Sequence, residues 1–320
     1  MGKIHLRPEE PHHDFAEIAT LISSQEEFAQ SEQDLLDDYL KNEATRLRFR
    51  VAEDEPGHLL GFSWAWRHWL RPERADFYLL VKPEHRQKGA GRCLYDDLLA
   101  AVETQGIKTL GTGVMEDSPE SLRFVERRGF YEVRHGIHME LDLDAFDDKP
   151  FEAIINRLKE EGFCFTSMEE LGNTEEAQRK LYALNDTAQR STLGQNGDPA
   201  WSSFESFQKS VCGAKWYRPA GQVVVIDTAT GTWAAMSAIS CVGGANFAYN
   251  LFTGVDMAYR GRQLGQAVKV LALRYARDVL KVHSVQTDHN TENLPMIAID
   301  QKLGYRKTWG KHFMEKEINP

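Results

Sequence analysis

The sequence predicts an α/β protein of two tandem domains, each a mixed central sheet with helices on both faces. Three observations predict it. A short aromatic and branched strand, a basic glycine turn and an amphipathic helix follow one another between Asp76 and Gly106. The same succession recurs from Phe247 to Val279. Around both, short strands in hairpins alternate with helices, and that mixture of meander and crossover belongs to an α/β sheet.

Taken in order, residues 3–7 read as a strand and 11–23 and 25–41 as helices, the second carrying Phe28, Leu35, Leu36 and Leu40 among acids. Leu47, Phe49 and Val51 alternate with Arg46, Arg48 and Arg50, a half-buried strand, and Asp54-Glu-Pro-Gly57 turns it into a partner at Leu59–Trp66. Asp76–Val81 is the strand that leads into the turn. Leu94, Leu98, Ala101 and Val102 then mark a helix that Gly106 stops. A strand at Lys108–Val114, a helix at Pro119–Arg128 and terminal strands at Tyr131–Leu143 complete the first set. Asp142–Lys149 is acidic and closed by Pro150, which places a linker there and gives domains at 1–145 and 146–320. The second set has helices at 151–161, 174–190 and 201–212, a Gly/Asn/Asp/Pro loop at 191–200, and strands at 163–166, 223–226, 233–239, 247–255 and 282–287. It ends with a helix at 294–303 and strands after Gly304.

Composition bounds the rest. Of 320 residues 42% are hydrophobic and 27% charged, ample for two cores, and no apolar run is long enough to span a bilayer. The opening Met-Gly-Lys-Ile-His-Leu has no signal-type segment. Cys93, Cys164, Cys212 and Cys241 show no paired spacing, which fits reduced thiols and a cytoplasmic protein. A net charge of −10 argues against nucleic acid and favours a cationic substrate. No membrane partner is expected.

The turn Arg86-Gln-Lys-Gly-Ala-Gly91 is chemistry for a pyrophosphate. Glycines let a ligand approach the main chain, free amides at a helix start attract anions, and Arg86, Lys88 and Arg92 add charge. It is neither a P-loop nor a three-glycine dinucleotide fingerprint. Its weight comes from repetition. Arg260 follows Arg86 by 174 residues, as Gly265 follows Gly91 and Val255 follows Val81; Gly304 follows Gly129 and Met314 follows Met139 by 175. Duplication of a whole domain explains one offset held within a residue at five landmarks.

That turn, together with the helix endings Arg127-Arg-Gly-Phe130 and Lys302-Leu-Gly-Tyr305, resembles the GNAT superfamily of acetyl-CoA-dependent N-acetyltransferases. The asparagine-rich Thr287–Met296 is similar to the segment after the family's fifth strand. The resemblance covers nearly the whole chain as two tandem GNAT-like copies, and it implies acetyl-CoA as the cofactor. It implies two central strands that splay, offering main chain to pantetheine at Leu79, Leu80 and Val81, and again at Thr253, Gly254 and Val255. It implies turn contacts from Arg86, Gln87, Lys88, Gly89, Ala90, Gly91 and Arg92, and from Arg260, Gly261, Arg262, Gln263, Leu264, Gly265 and Gln266. Asn290 and Asn293 are either coenzyme contacts or helix caps.

An unprotonated amine would attack the thioester with help from a base, and an acid would protonate the thiolate. In many family members the acid is a tyrosine five residues before the Gly-Phe aromatic; Val125 and Asp300 stand there. Tyr78 and Asp76, and Tyr249 and Asn250, precede the splay where a base sits, and each is open to a structural reading. The catalytic candidates are therefore Tyr78 and Asp300. Trp64, Trp66 and Trp69 either pack or line an acceptor site. His135, His138 and His312 lie in the terminal strands, where each is read as structural or as a base, and they have no metal-ligand spacing, so no metal is expected.

The expected activity is acetyl transfer to a small-molecule primary amine by a monomer or homodimer. The alternatives are a coenzyme A-binding protein with one or both domains inactive, or a protein N-terminal or lysine acetyltransferase.

Overall fold

In the computed structural model, residues 3–25, 30–68, 71–190, 201–241 and 246–318 are described. Phe28, Trp69 and the loop 191–200 lie outside them. The chain forms two compact units, one of residues 1–135 with 311–320, the other of 136–310.

Unit 1 begins with β1 (His5–Arg7), α1 (Pro11–Ser23) and α2 (Glu32–Lys41). Pro11 presets the first turn of α1, and Phe15, Ile18, Ala19 and Ile22 recur on its buried face. The predicted helix 25–41 starts later, because Ser31 and Asp34 close a reciprocal capping box. An antiparallel meander follows through β2 (Arg46–Glu53), β3 (Leu59–Arg67) and β4 (Arg74–Val81). α3 (Ala90–Glu103) crosses to β5 (Thr109–Met115), and α4 (Pro119–Glu126) comes next. One face of the sheet packs Phe15, Leu35, Phe49, Phe62 and Trp64 beneath α1 and α2. The other packs Phe77, Tyr95, Leu98, Val125 and Phe130 beneath α3 and α4.

The strand beside β5 comes from the far end of the chain. β6 (Tyr131–Asp142) leaves unit 1 at His135, and β12 (Arg306–Glu317) returns to it, pairing Lys311–Glu317 antiparallel to Met115–Thr109. Met314 and Ile318 complete the core of unit 1. The compact units thus differ from the two sequence repeats drawn at 145/146. The acidic segment is no free tether: Leu143 and Phe146 are buried in the core of unit 2, and Asp148 pairs with Arg274 at 2.5 Å.

Unit 2 contains α5 (Glu152–Glu160), β7 (Phe163–Ser167), α6 (Glu175–Arg190) and α7 (Phe204–Phe207). The helix expected over 201–212 is this one short turn, continued by a wider π-type turn at Gln208–Cys212. β8 (Gln222–Asp227), β9 (Trp233–Cys241) and β10 (Phe247–Val255) form the meander. α8 (Leu264–Tyr275), β11 (Ser284–Asn290) and α9 (Leu294–Leu303) follow, and Ser284–Asn290 pairs with Asp142–Gly136 of β6.

Candidate active site

The splay is present in unit 1. β4 and β5 run parallel and pair only at Arg74–Thr109, Ala75–Leu110 and Asp76–Gly111, after which they separate. β4 stays paired with β3 to Val81. The Lys82 N–H donates to Leu60 O at 2.9 Å, and alternation along an antiparallel pair then turns Tyr78 and Leu80 main-chain groups toward β3. Those of Phe77, Leu79 and Val81 face the gap. Leu80, expected to offer main chain there, faces β3 instead. Two carbonyls in the gap are already satisfied: Thr112 Oγ1 donates to Phe77 O at 3.0 Å, and Arg86 Nε donates to Val81 O at 3.2 Å.

Unit 2 repeats this geometry. β10 and β11 pair only at Phe247–Ser284, Ala248–Val285 and Tyr249–Gln286. Thr287 Oγ1 donates to Asn250 O at 3.1 Å, and Arg260 Nε donates to Val255 O at 3.4 Å. Asp256 N–H on Ala234 O fixes the alternation, so Thr253 and Val255 face the gap and Gly254 faces β9. β10 differs from β4 by a bulge between Asn250 and Phe252, one extra residue that exposes Leu251.

Both turns need two residues in the left-handed region, and each has one glycine for the two. Gln87 (φ 60°) and Gly89 (φ 101°) do this in unit 1, Gly261 (φ 78°) and Gln263 (φ 67°) in unit 2. Glycine and glutamine have exchanged places. Gly265 leaves room for Val255, since a Cβ there would lie 3.1 Å from its Cγ2.

A cavity of about 810 Å³ opens at the splay of unit 1. Phe77 to Val81 form one wall and Thr112 to Met115 the other. Arg86, Gln87, Gly89, Gly91 and Arg92 close its turn end, and α4 and the residues after it bring Arg123, Val125, Arg127 and Arg128. Arg92 is exposed and pairs loosely with Asp96 at 3.6 Å. Lys88 is turned back, its Nζ donating to Glu84 O at 2.7 Å, and Ala90 is buried with Leu60, Val81 and Leu94. The motif singles out the turn's basic residues; Arg123 of α4, Arg127 and Arg128 just after it, and Thr112 are not among the site residues it names. The charge of the Arg123–Arg128 segment was the signal that could have found them.

In unit 2 the turn is held by its own chain. Arg262 pairs with Glu161 at 3.3 Å and lies over the Phe163 ring at 4.6 Å, and Arg157 donates to Gln263 Oε1 at 3.0 Å. Leu264 and Gln266 are buried in α8. Asn290 Oδ1 accepts from the Glu292 N–H at 3.1 Å, a turn cap. Asn293 stands at the N-cap of α9 without a side-chain capping bond.

The two catalytic candidates part company. Tyr78 lines the cavity of unit 1, with its ring 5.9 Å from Trp66, which in turn sits 5.5 Å from Trp64. Asp300 is fully buried in unit 2, ion-paired with Lys269 and 2.5 Å from His289 Nε2. It is an acceptor inside the core, not an acid free to meet a thiolate. Tyr249 donates to Asp288, and burial, then that carboxylate, pushes its phenol up. Asn250 is locked by bonds to Ser237 Oγ (3.0 Å) and Ala238 O (2.9 Å). His138 bonds Thr308 at 2.7 Å and stacks on Trp309. The remaining terminal-strand histidines, His135 and His312, are brought together by the fold. Folding brings His135, His312 and Glu132 together, residues too far apart in sequence for any spacing rule.

Residues 12–130 match the model of the acetyltransferase (GNAT) family. Comparison with curated proteins gives no match. Among solved structures, the chain resembles a GCN5-related N-acetyltransferase from Sphaerobacter thermophilus at 18% identity and a TM-score of 0.74, over 99% of this chain and 96% of that one. It resembles a tandem GNAT protein from the clavulanic acid biosynthesis pathway at 21% identity and 0.67, over 99% of each. The glucosamine N-acetyltransferase region of a fungal multi-domain GH3 beta-N-acetylglucosaminidase aligns at 15% and 0.72, over 99% of this chain and 38% of that one. Residues 12–130 belong to the GNAT acetyltransferase family, and the whole chain has the fold of a tandem GNAT protein.

Proposed function

We propose that the chain moves an acetyl group from acetyl-CoA to the primary amine of a small molecule, and that unit 1 holds the coenzyme. The cavity at the β4–β5 splay carries this reading. Its gap-facing Leu79 and Val81 N–H groups suit the amide-bearing pantetheine arm. Its turn amides at Gly89–Gly91, with Arg92, Arg123 and Arg127 around them, suit a pyrophosphate. The engaged second turn supports a structural role for unit 2, and the chain is read as a duplication of domains at 1–145 and 146–320.

In the reaction the amine nitrogen bonds the acetyl carbon, the C–S bond breaks, and the thiolate takes a proton as the amine loses one. Tyr78 is the titratable residue of β4 among those that line the cavity. Val125 stands at the acid position and cannot donate, so the thiolate, a moderately good leaving group, departs without the ~10²–10⁴-fold help a general acid gives.

Calorimetry with acetyl-CoA tests the site. Gly89→Asp places a side chain at φ 101° and a carboxylate against the phosphates, and is expected to weaken binding at least about tenfold; Arg260→Glu leaves it unchanged. Loss with Arg260→Glu instead moves the coenzyme to unit 2. Thiol release over a panel of small amines and peptides then tests the acceptor. Val125 favours one other reading, a coenzyme-binding unit without turnover, which binding with no thiol release from any amine would establish.

A further inference from the structure

The returning strand carries His312 into unit 1 opposite Val114. There its ring stacks on that of His135, with centroids 4.3 Å apart and planes at 25°. Each imidazole meets a carboxylate: His312 Nδ1 is bonded to Glu132 Oε2, and His135 Nε2 to Glu116 Oε2 at 3.0 Å. One ligand atom from each of Glu132, His135 and His312 lies within 4.8 Å of the others. We propose that Glu132, His135 and His312, with Glu116 as fourth ligand, form a zinc(II) site that fastens the last strand to unit 1.

The donor set selects the ion. Two neutral imidazoles and two carboxylates offer two nitrogens, two oxygens and a charge of −2, which a divalent cation neutralises. Imidazole suits zinc, whereas magnesium and calcium want oxygen alone. Tetrahedral zinc with bonds of ~2.0–2.2 Å keeps its ligand atoms roughly 3.3 Å apart. Closing the 4.8 Å spread of Glu132, His135 and His312 to that distance takes rotation of the side chains, with the stacked imidazoles turning out of parallel so that both ring nitrogens face one ion. The histidines stand on strands, and the glutamates, half-exposed with 38% and 45% of their side chains open to solvent, are long enough to swing in. The histidines are partly open as well, at 25% and 16%, so an ion can enter. None of the four residues is among those lining the cavity, so the site does not rest on the proposed acetyl transfer.

The test is calorimetric titration of metal-stripped full-length protein with zinc sulfate alone, checked by thermal unfolding with and without zinc. One equivalent should bind and raise the unfolding midpoint by at least about 3 °C at saturation. His312→Gln and His135→Gln should each weaken binding at least tenfold and abolish the shift, with circular dichroism confirming the fold. Should either fail to fold, Glu132→Gln, an exposed position, gives the same reading. Cobalt(II) should show tetrahedral visible absorption in the wild type and lose it in the variants. Absence of zinc binding, or one-equivalent binding that survives both His312→Gln and Glu132→Gln, overturns the proposal.

Discussion

Lys269 and Asp300 show how one residue pair separates the two repeats. In unit 1 the corresponding positions hold Tyr95 and Val125, which pack with Phe130 in an apolar core. In unit 2 they hold an ion pair with 1% and 0% of its side chains exposed, His289 on the second carboxylate oxygen and the Tyr305 ring 4.9 Å from the ammonium. Burial pushes the Lys269 ammonium down and Asp300 opposes it. Removing one partner leaves a bare buried charge, a loss of roughly 3–5 kcal/mol, whereas removing both is often neutral. Asp300→Val is therefore expected to lower stability by that amount, and Lys269→Met with Asp300→Val to recover most of it. Denaturant unfolding of the two single variants and the double checks this. If Asp300 were instead a proton donor, Asp300→Asn would cut turnover per folded molecule several hundredfold; a loss below about tenfold is expected. No spacing in the sequence announces this pair, because position 269 on a predicted amphipathic helix reads equally as a solvated lysine.

Among the elements, most strands and helices were legible because alternation and helical spacing come from burial, and the burial is there. Phe49 and Val51 point inward as their alternation with arginines requires. What failed were local decisions. The start of α2 was set by the Ser31 cap and not by apolar spacing. The bulge in β10 inserts a residue that period-two reading cannot register. Of the site, the turn and the splay were legible, but Leu80's direction depends on which edge of β4 is paired. At the entrance to α1, Asp14 makes the ties that a strand-to-helix junction needs. It accepts from Arg7 at 2.7 and 2.8 Å, from the Glu10 N–H at 2.7 Å, and lies 2.9 Å from His13 Nδ1. Burial pushes its carboxyl up, but Arg7, His13 and the Glu10 amide outweigh that and hold it below the usual range. A lowered carboxyl stabilises the fold above its unfolded-state value, about 3.9, and loses that contribution as pH falls further. Asp14→Asn should cost about 1.5–3 kcal/mol at pH 7. The gap between wild type and variant should narrow toward pH 2–3, and a gap independent of pH would contradict the assignment.

At the scale of the molecule, the repeat and the compact unit are different objects. An offset of 174 residues marks a repeat in the sequence, but it is silent on which of the two last strands completes which sheet. In the fold β12 pairs with β5, whereas β6 pairs with β11. The consequence is that unit 1 depends on residues 311–320. They supply the ladder along β5, the buried Met314 and Ile318, and Glu315, which pairs with the nearly buried Arg74. Losing two buried apolar side chains costs about 3–6 kcal/mol. Stranding Arg74 beside Asp76 adds to this, against a total stability of about 5–15 kcal/mol for a domain. β5 would also be left as an open edge. The truncated chain 1–310 is therefore expected to lose protection of the amides at 109–115 in hydrogen exchange. It should also lose acetyl-CoA binding, because β5 forms one wall of the cavity. Amides of β8 and β9, whose partners all lie within 136–310, should keep theirs. Equal protection of 109–115 in the truncated and full chains would mean that another strand can take the place of β12, and that the dependence of unit 1 on the far end of the chain is wrong.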